Sequence, residues 1–494
     1  MTTGTEGTTD RSALPAGVRR DLTCPADLTA VELLAAYRAG ELSPVETIES
    51  VLARVERENP ALNAFCLVMA DEARVAARAS EERWRRGEPR GLLDGVPASI
   101  KDVMLTRGHP TLRGSRTIDP KGPWPEDSPA VARLREHGAV LFGKTTTPEL
   151  AWKGVTDSPL TGVTRNPWDL SRTPGGSSGG AAVAVARGMG PLATGTDGGG
   201  SVRIPASFTG VVALKPTYGL VPHYPASAFG TLAHSGPMTR TVADAALMLD
   251  VLCGADSRDW AALARPAESF ARGLDRPLTG MRVAFSPTLG HVEVDPDVAG
   301  RVAAAAAVFD ELGARVEPVD PGFADPVGDF HVLWFSGAAK ATEALDEERR
   351  ALLDPGLREI VEEGLTYSAQ DYLTAMATRM SLGELMGRFH DTYDLLLTPA
   401  TAIPAFEAGR ETPRRWPSRR WTSWAGFSYP FNLTQQPAAS LPCGFTAEGL
   451  PVGLQIVGAR HADGLVLAAA RAFERARPQE WWPAPPDGHG PART

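Results

Sequence analysis

The chain has 494 residues, 43% of them hydrophobic and 22% charged, an ordinary globular balance that excludes global disorder and supplies the apolar surface for a large core. Its net charge of −9 argues against a nucleic-acid scaffold, which needs a concentrated basic face, although a local basic patch stays open. Cys24, Cys66, Cys253 and Cys443 lie far apart without a C-x-x-C pair, so free buried thiols are expected, and neither a zinc site nor a disulfide framework is.

Residues 1–25 read as a mobile tail, and the Thr/Gly-rich start from Met1 to Leu14 has no apolar segment of signal-peptide type. No run of about 18 apolar residues occurs, so no membrane span is expected and a cytoplasmic protein is. Thr29 and Glu32 form a capping-box pattern that opens a helix, and Ser43-Pro44-Val45-Glu46 forms a second with proline at the first helical position. Val45, Ile48, Leu52 and Val55 follow at helical spacing, and an amphipathic helix is predicted over Asp71 to Arg86.

From Gly95 the pattern changes. Short apolar runs, predicted as strands, cover Val96 to Val103, Ala139 to Phe142, Val211 to Leu214, Met281 to Phe285, Leu395 to Leu397 and Val452 to Val457. They alternate with predicted helices over Ser128 to His137, Gly180 to Arg187, Val242 to Leu252 and Val298 to Leu312. Such alternation implies an α/β sheet covered on both faces, and the absence of a linker or repeat favours one domain over 26–482. Pro321 to His390 is helix-rich and reads as a cap. Thr412 to Tyr429 carries Trp416, Trp421 and Trp424, either as an aromatic pocket wall or as packing under a surface loop. Residues 483–494 read as a disordered tail.

Two glycine clusters interrupt this pattern. One runs Thr173-Pro174-Gly175-Gly176-Ser177-Ser178-Gly179-Gly180, the other Gly195-Thr196-Asp197-Gly198-Gly199-Gly200-Ser201-Val202-Arg203. Glycine serves where backbone takes a positive φ or approaches another group closely, so two such loops presenting serines point to a nucleophile and its surroundings. A serine hydroxyl needs a base to take its proton, and none of the nine histidines lies in either cluster. A neutral lysine can do this work, because burial lowers the pKa of an ammonium group. Only six of the 50 basic residues are lysines, yet Lys101 stands in the apolar stretch Val96 to Leu105, flanked by Ile100 and Val103. Arginine would stay protonated there. The amides of Gly198, Gly199 and Gly200, with that of Ser201, are candidate oxyanion donors. Two other readings stay open, a flexible linker for the first cluster and a phosphate cradle for the second. Against the linker, the cluster runs into the apolar Ala181 to Ala186; against a P-loop, no Gly-Lys-Ser/Thr follows the glycines.

Together the clusters and Lys101 resemble the amidase signature family. Further motifs extend the resemblance from Leu28 to Trp482: Asp94 to Pro97 ahead of Ile100-Lys101-Asp102, Gly143 to Thr145 with Pro148-Glu149, Gly210 to Pro216, Pro430 to Asn432, Pro437 to Ser440 and Gly449 to Gln455. The resemblance implies a single large α/β domain on a mixed sheet with helices on both faces. It implies Ser201 as nucleophile, Ser177 as bridging serine after a cis Gly176–Ser177 peptide, Lys101 as base, and Ser178, Asp197 and Arg203 as supporting residues. The implied reaction is hydrolysis of a small-molecule carboxylic amide, carbamate or ester through an acyl-enzyme, with no metal or organic cofactor. Family members act on aryl, fatty and peptide amides, cyclic oligoamides and carbamates; Trp152, Trp421 and Trp424 are candidate pocket residues for a bulky substrate.

The chain departs from the family pattern twice. Gly198 stands where the family commonly has Thr, Ile or Val, which implies a looser loop or extra room. Val202-Arg203-Ile204-Pro205 differs from the Arg-Gln-Pro often seen in the glutaminase component of glutamyl-tRNA amidotransferases, which favours a free-standing hydrolase. That glutaminase component of a tRNA-dependent amidotransferase is one alternative, and a non-catalytic binding protein is the other. Monomer and homodimer both stay open.

Overall fold

The structure, a computed structural model, describes residues 23–478. Of the two expected tails, 1–22 and 483–494 therefore lie outside the described residues. Both capping boxes form. Thr29 Oγ1 accepts from the Glu32 amide at 3.2 Å and Glu32 Oε2 accepts from the Thr29 amide at 2.9 Å, opening the helix Ala30–Ala39. Ser43 and Glu46 do the same for the helix Pro44–Leu62.

Thirteen strands follow in chain order among the described residues: β1 (Phe65–Val68), β2 (Pro97–Lys101), β3 (Val140–Thr145), β4 (Asp157–Ser158), β5 (Gly162–Val163), β6 (Leu192–Asp197), β7 (Val212–Lys215), β8 (His234–Thr239), β9 (Arg282–Phe285), β10 (Arg315–Pro318), β11 (Leu395–Pro399), β12 (Ala438–Phe445) and β13 (Pro451–Gly458). β4 and β5 form a small hairpin, and the other eleven form one sheet in the order β1-β3-β2-β6-β8-β7-β12-β13-β11-β9-β10. Parallel pairs join β2 to β3 and β6, and β9 to β10 and β11; the remaining pairs are antiparallel, so the sheet is mixed.

Both faces are buried, as the alternation of side chains shows. Leu395 and Leu397 of β11 enter one core with Val212, Leu214, Leu454 and Ile456, while Leu396 enters a second core on the opposite face with Val457. Helices Pro129–Glu136, Val242–Leu252 and Pro296–Glu311 contribute to the first core. The second is built largely by the predicted cap, in which helices Val327–Ala341, Pro355–Gly364 and Ala369–His390 pack with Trp152, Trp421 and Trp424. This is a single α/β domain with helices on both faces of a mixed sheet.

The six predicted strands are β2, β3, β7, β9, β11 and β13. β6 and β8 escape hydrophobic periodicity because Leu-Ala-Thr-Gly-Thr-Asp and His-Ser-Gly-Pro-Met-Thr are polar or glycine-rich, yet every residue of both is buried. Pro237 even sits in the middle of β8 opposite Thr194, at a place where a missing N–H normally argues against a central strand. Among the described residues no helix is long and apolar enough to cross a membrane. All four cysteines are free, but only Cys253 is buried as expected, and Cys66 is exposed.

Candidate active site

β2 ends at Lys101 and its parallel neighbour β6 ends at Asp197, so the strand pair delivers both residues to its carboxyl end, where open α/β sheets place their sites. Lys101 has no solvent exposure. Its Nζ lies 2.6 Å from Ser177 Oγ, 2.8 Å from Ser178 Oγ and 2.9 Å from Thr196 Oγ1. The other buried lysines are engaged differently. Lys144 pairs with Asp102 at 2.8 Å, Lys153 with Asp157 at 2.6 Å and Asp354 at 2.9 Å, and Lys215 caps the Gln436 carbonyl. Lys101 alone of these four meets only hydroxyls. Burial pushes its pKa well below that of a free lysine, and the Asp197 charge opposes this without cancelling it.

The two serine loops meet here. The Gly176–Ser177 peptide is cis, and the Ser178 amide donates to the Ser201 carbonyl at 3.1 Å. Ser178 Oγ donates to the Thr196 carbonyl at 3.1 Å and accepts from the Thr196 amide at 3.3 Å, which ties the first loop to β6. The helices Gly179–Ala186 and Arg203–Thr209 each begin two residues after a loop serine. Ser177, Ser201, Thr196 and Gly198 line one cleft of about 200 Å³.

Asp197 and Arg203 brace the second loop from below. Asp197 accepts from Arg203 Nε at 3.0 Å and Nη2 at 2.9 Å, a two-point pair in which both residues are buried. Arg203 also donates to the Ser428 carbonyl at 3.0 Å, Gln455 Oε1 at 2.8 Å and Asn432 Oδ1 at 2.6 Å. Burial pushes the Asp197 carboxyl up, but Arg203, Lys215 and Asn432 outweigh it and hold the group well below the usual carboxylate range. Thr196, Ser428, Asn432 and Gln455 carry no sequence signal of their own for this role, although Asn432 and Gln455 lie in motifs that carry the resemblance.

The brace changes the expected set of oxyanion donors. The Gly200 amide donates to Asp197 Oδ1 at 2.7 Å, so it is already committed to the carboxylate. Gly200 has φ +122°, a conformation glycine tolerates, and a Cβ there would lie 2.5 Å from Ser428 Oγ. The amides of Gly198, Gly199 and Ser201 make no hydrogen bond among the described residues and remain free to donate.

Trp152, Trp421 and Trp424 are buried and none of them lines the cleft. Trp424 stacks on Phe208 with ring centroids 5.9 Å apart and donates to the Glu411 carbonyl at 3.0 Å. Trp421 backs the loop, 2.8 Å from where a Gly199 Cβ would stand, and Trp416 lies half-buried with its Nε1 donating to Ser423 Oγ at 2.9 Å. Packing is the role the structure gives these rings. The aromatic lining of the cleft comes from Phe229 and Trp334, stacked at 3.8 Å and 15°, with Trp334 Nε1 donating to the Trp152 carbonyl at 3.0 Å. In sequence Trp334 is hidden among Phe330, Leu333 and Phe335, which read together as the apolar face of a helix.

Trp334 also accounts for Gly198. A Cβ at that position would lie 2.7 Å from the Trp334 ring, so the room expected from a missing side chain is already occupied. Trp334 is buried and held by its indole bond, so a side chain at Gly198 must displace either the ring or the loop. We expect Gly198→Val to lower kcat/KM by about tenfold or more through displacement of the loop. Trp334→Leu in the same chain should restore part of the loss. Full activity in the single variant, or no rescue in the double one, would show that the contact does not set the loop.

The profile of the family described as Amidase matches residues 46–467. An acylamidase from Rhodococcus erythropolis is 40% identical over 465 residues, covering 91% of this chain and 96% of its own. The A-type subunit of the glutamyl-tRNA(Gln) amidotransferase from Symbiobacterium thermophilum is 38% identical over 478 residues, covering 91% and 96%. A solved bacterial aryl acylamidase of the amidase signature enzymes superimposes with a TM-score of 0.85 at 34% identity, covering 92% of this chain and 96% of that one.

Proposed function

Since the chain belongs to the amidase signature family and is an amide-hydrolysing enzyme, we propose that Ser201 attacks an acyl amide while Ser177 and Lys101 carry its proton. The observation that supports this most is the all-hydroxyl environment of Lys101 Nζ. A neutral amine has two N–H groups and one lone pair. The Ser178 hydroxyl proton is committed to the Thr196 carbonyl, so Ser178 Oγ accepts from Lys101. Thr196 Oγ1 takes the second N–H, and the lone pair is left facing Ser177.

The steps follow from this assignment. Ser201 Oγ bonds to the carbonyl carbon as its proton passes to Ser177 Oγ, whose own proton moves to Lys101 Nζ. The carbonyl oxygen becomes an anion held by the Gly198, Gly199 and Ser201 amides. On collapse, the C–N bond breaks and the relay returns a proton to the departing amine. Water then repeats the sequence on the ester and frees the acid and Ser201.

The substrate we propose is an acyl amide with an aryl or similarly flat group. Phe229, Trp334 and Met104 line the cleft, and flat rings gain most from stacked aromatic walls. The relative that belongs to an amidotransferase supports a second reading, a glutaminase. Assaying the purified chain with an acyl anilide, a primary amide, a carbamate, an ester and glutamine separates the two. Anilide cleavage without partner proteins is the expected result. Ammonia from glutamine with no anilide cleavage would transfer the assignment to the glutaminase, and a serine-directed fluorophosphonate that fails to attach would favour a binding protein.

A further inference from the structure

Resting on that reading, we infer that Arg113 and Ser128 form an anion-recognition subsite in the same cleft, so that the preferred amide carries a carboxylate away from the scissile bond. Both residues line the cleft that holds Ser177 and Ser201. The Arg113 guanidinium makes no hydrogen bond or ion pair among the described residues; partial burial depresses its pKa and the Asp102 charge opposes that shift. Arg113 is half-buried, and its guanidinium is left with no acceptor in contact. The Asp102 charge favours the charged guanidinium, but its carboxylate makes its contacts elsewhere: Oδ1 with Lys144 at 2.8 Å and Oδ2 with the Arg113 amide at 3.0 Å.

The backbone carries a second sign. Arg113 has φ +54°, a left-handed conformation in which glycine, asparagine and aspartate are the usual occupants. It is clamped there, its amide bonded to the Asp102 carbonyl at 3.0 Å and its carbonyl to the Leu150 amide at 2.8 Å. A long cation in a conformation that disfavours it points to a function for the side chain.

Ser128 supplies the independent observation. Its side-chain oxygen is buried without any partner, and the residue is only 4% exposed. It occupies the N-cap of the helix Pro129–Glu136 without making the usual cap bond, and Ala130 of the first turn lines the cleft beside it. A hydroxyl donor at the positive end of a helix, sharing a cleft with an unpaired guanidinium, suits a planar carboxylate.

The other polar groups nearby do not compete. Tyr224 donates to Glu126 at 3.1 Å, Glu126 also meets Arg258 at 3.3 Å, and Asp127 is held by the Arg107 amide at 2.7 Å and Arg135 at 3.1 Å. Burial pushes His223 down to about 4, with the Arg113 charge adding to that shift and Asp259 opposing it, so the imidazole is neutral. Its Nδ1 lies 3.2 Å from Ser235 Oγ.

The test uses para-nitroanilides of succinate and glutarate beside their neutral counterparts from butyrate and pentanoate, and butyryl-para-aminobenzoate beside butyranilide. At least one charged compound should exceed its neutral partner in kcat/KM by about tenfold or more, the effect of one charge-assisted hydrogen-bonded pair. In Arg113→Asn, which removes the charge with a residue suited to the left-handed backbone, that ratio should fall to about one. Arg113→Lys should keep part of the preference and Ser128→Ala should lower it. Thermal melts check that the variants fold. No preference for any charged compound, or a preference that survives Arg113→Asn, overturns the subsite. Calorimetric binding of the charged compounds to Ser201→Ala, with and without Arg113→Asn, separates the subsite from the catalytic assignment. Arg113-dependent binding without acylation of Ser201 in the unaltered enzyme would sink only the catalytic assignment; acylation with charge-indifferent binding would sink only the subsite.

Discussion

Ser201→Ala is expected to abolish amide turnover, whereas Ser177→Ala should leave a measurable residue. In the proposed mechanism Ser201 forms the bond to the carbonyl carbon, and nothing adjacent can replace it. In serine hydrolases the loss is about a millionfold in kcat. In the proposed mechanism Ser177 only passes a proton. With its hydroxyl gone, Lys101 keeps its contacts to Ser178 at 2.8 Å and Thr196 at 2.9 Å, so the amine stays placed. A water in the vacated volume can carry the proton less efficiently, and a loss of about 10²–10⁴-fold is expected, the range for general acid–base contributions. Intact-mass spectrometry during turnover should find the acyl group on Ser201. An adduct on Ser177 would reverse the two roles.

Lys101→Arg should be as damaging as Lys101→Met, each costing about 10²–10⁴-fold in kcat/KM. Methionine cannot accept a proton, and arginine does not release its own at any pH the protein survives. As the proposed base, the same group should set the pH profile. Burial favours the neutral amine, so the folded pKa lies well below 10.5. Below that folded pKa Lys101 is protonated, and kcat/KM should rise about tenfold per pH unit until the amine is neutral, then level off. The stability contribution has the same sign. Between the folded pKa and 10.5 the unfolded chain binds a proton that the folded chain refuses, so stability from this group falls as pH drops through that window and is constant below it. Lys215 is shifted in the same direction by burial and by Arg203, so comparison with the Lys101 variants assigns the activity limb. A rate flat from acid to neutral pH, or an active arginine variant, would remove Lys101 from the base role.

Much of this architecture is legible in the order of residues. The capping boxes at Thr29 and Ser43 work through bonds within one helical turn, so the residues that form them are neighbours in the chain. Strands such as β11 and β13 announce themselves because continuous apolar runs have no other place to go than a sheet buried on both faces. The two glycine clusters and Lys101 are conspicuous for their composition, and the structure places Ser177 and Ser201 on one cleft with Lys101 buried behind Ser177.

What lies beyond reach depends on partners far away in the chain. β6 and β8 are strands because each is flanked on both sides by others that take up its backbone groups, which no local pattern records. The Gly200 amide turns to Asp197 because Arg203, Asn432, Ser428 and Gln455 hold that carboxylate and its loop, the last three from segments more than two hundred residues downstream. Trp334, not the conspicuous Trp421 or Trp424, reaches the cleft because the helix bearing it packs across Gly198. The lysines make the division plain. Sequence alone determined that Lys101 sits in an apolar strand, with Lys144 just beyond the strand predicted over Ala139 to Phe142 and Asp102 next to Lys101 in the chain. Successive side chains at a strand end point to opposite sides, so the carboxylate of Asp102 reaches Lys144 on the neighbouring strand. Tertiary structure thereby left Lys101 with three hydroxyls and no counter-charge in contact, the environment in which a lysine gives up its proton.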